Sequence, residues 1–144
     1  MKRAVLAFIA GILTWTLVVS VLNRGLRMTL DGYAAAEPHM TFTLGMMAAR
    51  LAMAALTSLI AGADVGWVAP SGTRVPWILG AITLAAFLPA HVRFWSTFPL
   101  WYHLTFLVTL IPLIVLGSRL AQWRTRGSRT GRDAHKGPET ASAG

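Results

Sequence analysis

The sequence predicts an all-α integral membrane protein, a bundle of four transmembrane helices followed by a basic tail. Three observations predict it. Apolar residues make up 55% of the 144 and are gathered in blocks, and the mean hydropathy of +0.58 exceeds that of an ordinary soluble domain. Four blocks are long enough to cross: a helix rises about 1.5 Å per residue, so a hydrocarbon core of about 30 Å takes about 20 residues. The basic residues lie between and beyond these blocks, with the one exception of Arg50. None of the blocks alternates apolar and polar residues as a membrane β-strand does.

The first span covers 4–22, nineteen residues without a charge. Its start, MKR, has the basic character of a signal peptide, but the apolar run is too long for one and no small-x-small site follows directly. The candidates Ala34 and Ala36 lie beyond Arg24 and Arg27, so the block reads as a retained helix. Residues 23–40 then form the longest loop, expected on the outer surface, with Asp31, Gly32, Glu37 and Pro38. The second span, 41–62, holds Arg50. The third, 76–92, only just has the length, opens on Pro76, where a missing N–H costs nothing, and has Pro89 near its end. The fourth, 98–118, opens on Pro99, and Pro112 inside it should kink the helix and free the carbonyl near Val108. Residues 1–120 are thus the transmembrane domain. Residues 121–144, AQWRTRGSRTGRDAHKGPETASAG, lack apolar residues to bury and are expected to be a disordered cytoplasmic tail.

Small residues allow helices to approach closely in lipid. They recur every four positions at Ala7 and Gly11 in the first span, at Gly45 and Ala49 and at Ala54, Ser58 and Gly62 in the second, and at Ala81 and Ala85 in the third. The fourth span is bulky throughout. The expectation is a tight trio of the first three helices with the fourth at the periphery.

Orientation follows from charge. With the N-terminus inside, the inner side holds Lys2, Arg3, Arg74, Arg119, Arg124, Arg126, Arg129, Arg132 and Lys136, against Arg24, Arg27 and Arg93 outside. Nine against three selects an N-in, C-in topology. Trp67, Trp77 and Trp123 then fall at the inner interface, and Trp95, Trp101 and Tyr102 at the outer one, as aromatic belts. The net charge of +8 is mostly this topology signal. Arg124, Arg126, Arg129 and Arg132 of the tail would meet an anionic inner leaflet, at about 1 kcal/mol per basic residue. No fold presents them to nucleic acid. The absence of cysteine excludes disulfides, thiolate metal sites, thiol redox chemistry and a lipoprotein anchor.

Arg50 is the sharpest candidate. A charge within a span costs about 2.5 kcal/mol or more and faces protein or water. Side chains lean toward a helix N-terminus, which directs Arg50 outward, toward Glu37 or Asp31. Thr14, Thr83, Thr109 and the carbonyl freed by Pro112 are neighbours at matched depth. Such an arginine either pins the bundle through hydrogen bonds, or holds an anionic ligand, or meets a partner's acid. His39, His91 and His103 fall at the outer ends of three spans with Glu37 nearby. Three imidazoles and a carboxylate could hold a metal such as zinc, and two of the histidines could hold a haem or meet a quinone. No metal-ligand spacing is present, and an interfacial histidine satisfied by water or headgroups is the plainer reading. No cofactor is expected; the histidines alone would support one, a metal or a haem.

The segment PLWYHLTF at 99–106 followed by LIPLIVLG at 110–117 resembles the last helix of small uncharacterised four-helix bacterial membrane proteins, and LTSLIAG at 56–62 the end of their second helix. The resemblance implies a bacterial inner-membrane location and brings no activity or site residues. An acidic residue in the first span, as small multidrug exporters require, is missing.

Two functions remain. One is a non-enzymatic accessory or assembly subunit that acts through helix–helix contacts with a second copy or a membrane-protein partner. The other is a small ligand-binding or transport protein that uses Arg50 in a midplane polar layer and an outer cluster of His39, His91 and His103, taking a metal, haem, quinone or anion. No Ser/His/Asp order, Gly-rich phosphate loop or carboxylate pair at depth points to catalysis.

Overall fold

A computed structural model describes residues 2–69 and 72–134, with the side chains of 2–69 and 72–124. Its helices are α1 (Lys2–Thr29), α2 (Tyr33–Ala36), α3 (Leu44–Val68), α4 (Val75–Arg93) and α5 (Leu100–Ala134). There is no strand among the described residues. Four helices, α1, α3, α4 and the Leu100–Arg124 part of α5, are long and apolar enough to cross a membrane.

Each helix runs past the C-terminal end of the block that announced it, although α3 and α5 start later than expected, at Leu44 and Leu100. Nothing between Asn23 and Thr29 breaks a helix, since an exposed turn tolerates Asn and Arg, so α1 continues to Thr29. It ends there, and the turn that leads into α2 carries Gly32, whose φ of 75° is left-handed. The Thr43 hydroxyl caps α3 by accepting the Met46 N–H. That helix runs on past Gly62 and takes in Asp64. Pro76 lies in the first turn of α4. The backbone of 121–134 is helical and continues α5, where the sequence suggests a tail without order. A long helix already formed adds residues cheaply, because the costly nucleus is behind it. Residues 135–144 lie outside the described set, as do the side chains of Arg126, Arg129 and Arg132.

The expected trio with a peripheral last helix is not what forms. The closest pairing is α3 with α5, followed by α1 with α3 and α4 with α5. Glycines make it possible on both sides. A Cβ on Gly62 would collide with the Ile114 carbonyl oxygen, one on Gly66 with that of Ser118, and one on Gly117 with that of Leu59. Bulk on the rest of α5 is no obstacle, because Gly117 sits where the backbones meet. Ala7 and Gly11 of α1 are buried as expected, whereas Gly45, Ala81 and Ala85 are exposed.

This close packing occupies the half of the bundle nearest the α3–α4 turn. Ala7, Val65, Ala69, Val75, Leu79, Leu110 and Ile114 make its core. The opposite half, nearest α2, is filled differently.

Candidate functional site

Arg50 lies six residues into α3, about 9 Å below its start and nearer the α2 end than the middle expected for it, because the helix begins at Leu44 rather than 41. Its side chain extends toward the α2 end as the lean of helical side chains dictates. It meets two phenols. Its Nη1 donates to the Tyr33 hydroxyl at 2.8 Å and its Nε to the Tyr102 hydroxyl at 3.3 Å. The Phe42 ring lies 4.5 Å from the guanidinium carbon and covers one face. No carboxylate lies within ion-pair distance of Arg50 among the described residues.

Tyr33 carries the chain of contacts onward. It is fully buried, although it belongs to the loop read as an outer surface. Its hydroxyl donates to Asn23 Oδ1 at 3.0 Å, and the Asn23 amide donates to Glu37 Oε1 at 3.1 Å. Arg27 Nε closes the relay on Glu37 Oε2 at 2.6 Å. The direction of every bond is fixed: Glu37 accepts only, so Asn23 must turn its carbonyl to Tyr33. Burial raises the Tyr33 hydroxyl above its usual pKa, against the pull of Arg50, so it stays a donor. Burial opposes the charge of Glu37, but the hydrogen bonds from Arg27 and Asn23, with the two arginine charges, outweigh it and hold the carboxyl below its usual value.

The histidines divide. His91 and His103 meet, with their Nδ1 atoms 2.7 Å apart, while His39 is exposed on the loop and Glu37 is engaged by Asn23 and Arg27. No group of three or more His or acidic side chains that could hold a metal forms among the described residues. In the His91–His103 pair one Nδ1 carries the proton that both share. Trp95 stacks on His103 with ring centres 4.9 Å apart, and His103 Nε2 is buried without a partner. The pairing has a simple cause. Short connections make antiparallel neighbours, so residues at similar distances from the 94–99 turn on α4 and α5 come together.

Two cavities meet at this cluster. One, of about 200 Å³, is lined by Arg50, His91, Tyr102 and His103 among phenylalanines 87, 94, 98 and 106. The other, of about 310 Å³, is lined by Asn23, Glu37 and Arg50 with Trp15, Met53 and Phe106. Arg50, Phe87, Tyr102 and Phe106 belong to both, so the two form the lobes of one cleft. Neither lobe is fully enclosed. The walls are aromatic and the polar groups few and convergent, which is how ligand sites are built.

Of the belt residues, Trp67, Trp77, Trp95, Trp101 and Trp123 are exposed, whereas Tyr102 is buried against Arg50 and belongs to the cleft. The threonines expected around Arg50 are engaged elsewhere. Thr83 and Thr109 bond carbonyls of their own helices, at Leu79 and Thr105. Thr14 donates to Asp64 Oδ2 at 2.9 Å, which places a carboxylate inside α3 where the shorter second span had none. Asn23, Tyr33, Phe42 and Phe87 escaped the sequence reading.

Comparison with protein-family models, curated proteins and solved structures finds no match. The site's chemistry therefore rests on its own residues.

Proposed function

We propose that this chain is a multi-pass protein of the bacterial inner membrane, with both termini cytoplasmic, that binds a small amphiphilic ligand in the two-lobed cleft around Arg50. The observation that carries the reading is Arg50 itself. A guanidinium lies inside an apolar bundle, held by two phenols and a ring face, at the junction of two aromatic lobes. An arginine that only pinned helices together would be expected to have its donors spent on the protein and no cavity beside it.

The orientation rests on charge. Lys2, Arg3, Arg74, Arg119 and Arg124 cluster at the end of the bundle opposite α2, and the positive-inside rule assigns that end to the cytoplasm. The native chain has no cysteine, so single cysteines report cleanly. In spheroplasts, Ser96→Cys should react with a membrane-impermeant maleimide, and Ser128→Cys only after permeabilisation. The reverse pattern would invert the topology.

Binding is tested by photolabelling the full-length chain in phosphatidylcholine nanodiscs with two diazirine-bearing probes, a long-chain fatty acid and the matching alcohol. Saturable adducts at Met53, Phe87 or Phe106 are expected with at least one probe. Labelling that never saturates and falls only on lipid-exposed positions such as Leu13 and Leu17 would remove the cleft as a binding site. The assembly-subunit reading keeps one observation, the exposed Ala81 and Ala85 of α4. A monomer in nanodiscs at every concentration would count against it.

A further inference from the structure

The polar groups of the cleft are unbalanced in a way that specifies its ligand, given the binding function just proposed. Arg50 has five N–H donors, and the Tyr33 and Tyr102 hydroxyls take two of them, which leaves three. The Tyr102 hydroxyl accepts from Arg50, and its own proton has no acceptor among the described residues. The two histidines of the smaller lobe share one proton between their Nδ1 atoms and bring no negative charge. Glu37 is the one carboxylate on the cleft wall, and both of its oxygens are taken, by Asn23 and by Arg27. Donors therefore outnumber free acceptors at the junction of the lobes, and the uncompensated charge is positive.

Arg50 is half-buried; donors left without an acceptor beside apolar walls are costly, and a charge there is stable only when paired or hydrogen-bonded. A ligand that supplies acceptor oxygens and a negative charge at this point removes both penalties at once. Guanidinium matches planar two-oxygen acids in particular, through parallel N–H···O bonds. The rest of the ligand must suit the walls: Trp15, Met53, Phe87, Phe94, Phe98 and Phe106 offer aromatic and thioether surface.

We infer that the cleft takes an anionic amphiphile, its acid head on Arg50 and the Tyr102 hydroxyl and its apolar chain in the lobes lined by Phe87 and Phe106. The head could be the carboxylate of a free fatty acid or the phosphate of an anionic phospholipid, which share this chemistry.

The test uses the same photolabelled chain and reads competition by unlabelled compounds. Dodecanoate, dodecanol, dodecylamine and phosphatidylglycerol are titrated separately against the adducts at Met53, Phe87 or Phe106. An acid head should compete at least about tenfold better than the alcohol, the worth of one hydrogen bond to a charged group, and the amine should not compete. Strong competition by dodecanoate assigns a free acid, and strong competition by phosphatidylglycerol a lipid headgroup. Arg50→Gln should abolish the preference of acid over alcohol, while Arg50→Lys should keep part of it. The comparison of heads in the unaltered chain holds even if Arg50→Gln fails to fold. Equal competition by acid and alcohol would overturn the anionic head and leave the cleft standing as a binding site. The absence of saturable labelling by either probe would overturn both.

Discussion

The two halves of this bundle are packed on opposite principles. Nearest the α3–α4 turn, three glycines bring the backbones of α3 and α5 into contact, and the residues around them are small or aliphatic. Nearest α2, rings and hydroxyls stand between the helices and two cavities remain. The glycines show the contrast most directly: side-chain atoms added at Gly25 and Gly45, in the α2 half, would meet nothing within 4 Å. A bundle that closed tightly along its whole length would have no room for a ligand. One loose along its whole length would lack the glycine contacts that make α3 and α5 the closest pair. Dispersion and close approach hold helices together in lipid, so the first half supplies the stability and the second is free to be a site. The largest expected effect breaks the first half. Gly62→Ala must displace backbone at Ile114 rather than a flexible side chain, so it should destabilise by about 3 kcal/mol or more, the upper end for overpacking. Unfolding titrations in mixed micelles would measure it. Gly11→Ala, which meets only the side-chain ends of Leu79 and Val65, should cost clearly less, and equal costs for the two would remove the distinction.

The second half should respond in the other direction, with binding lost before stability. Tyr33→Phe removes one hydroxyl that accepts from Arg50 and donates to Asn23. Partly compensated polar groups of this kind cost about 1–2 kcal/mol, less than the clash at Gly62. The aromatic ring and its contact with Phe42, at 5.4 Å between centres, are kept. Arg50 would lose its orientation, so saturable photolabelling of the cleft should weaken strongly while the unfolding midpoint moves less than for Gly62→Ala. A variant with full labelling and a large stability loss would make the relay structural only.

How far the sequence foretells each half follows from the same difference. The four long helices are legible because length and apolarity are what a charge-poor run reports. Their ends are less so: a run ends at its first polar residue, but a helix does not, which is why Asn23, Arg27 and Asp64 proved helical. The α3–α5 seam is hidden from a search for stripes within single spans. One glycine at 117 facing two on α3 needs no stripe of its own. The cleft was half visible. Arg50 stands out by its cost, and the pairing of His91 with His103 is legible in their similar distances from the 94–99 turn. Tyr33 and Asn23 carry no pattern at all, since their relay joins the end of one helix to a four-residue turn of another.

A smaller effect of opposite sign tests whether the α2 half is as open as it looks. In the interior of a helix, glycine is less stable than alanine by about 0.5–1 kcal/mol, through backbone entropy. Gly25 is an interior residue of α1 with open space where a Cβ would go. Gly25→Ala should therefore stabilise the chain by up to that amount, where the same substitution at Gly62 is ruinous. A destabilising Gly25→Ala would mean that something covers this surface, and would favour a partner subunit there.

The smallest effect concerns pH and the segment that carries Tyr33. Glu37 has a lowered pKa in the folded chain, so the folded state binds fewer protons there than the unfolded one through the intervening pH range. Its contribution is therefore complete above the ordinary carboxylate value of about 4.3 and disappears as pH falls through the lower folded value. From pH 8 to 6 the Tyr33–Ala36 amides should exchange hydrogen at rates that change only by the intrinsic dependence on pH. Below about pH 4 they should exchange faster, as Arg27 and Asn23 lose the carboxylate. Glu37→Gln should show the faster exchange already at pH 7, because an amide can still accept one bond but brings no charge for Arg27. If acid loosened this segment equally in wild type and Glu37→Gln, the docking of α2 would rest on the burial of Tyr33 alone. The relay to Arg27 would then be a surface ion pair of little consequence, as most are.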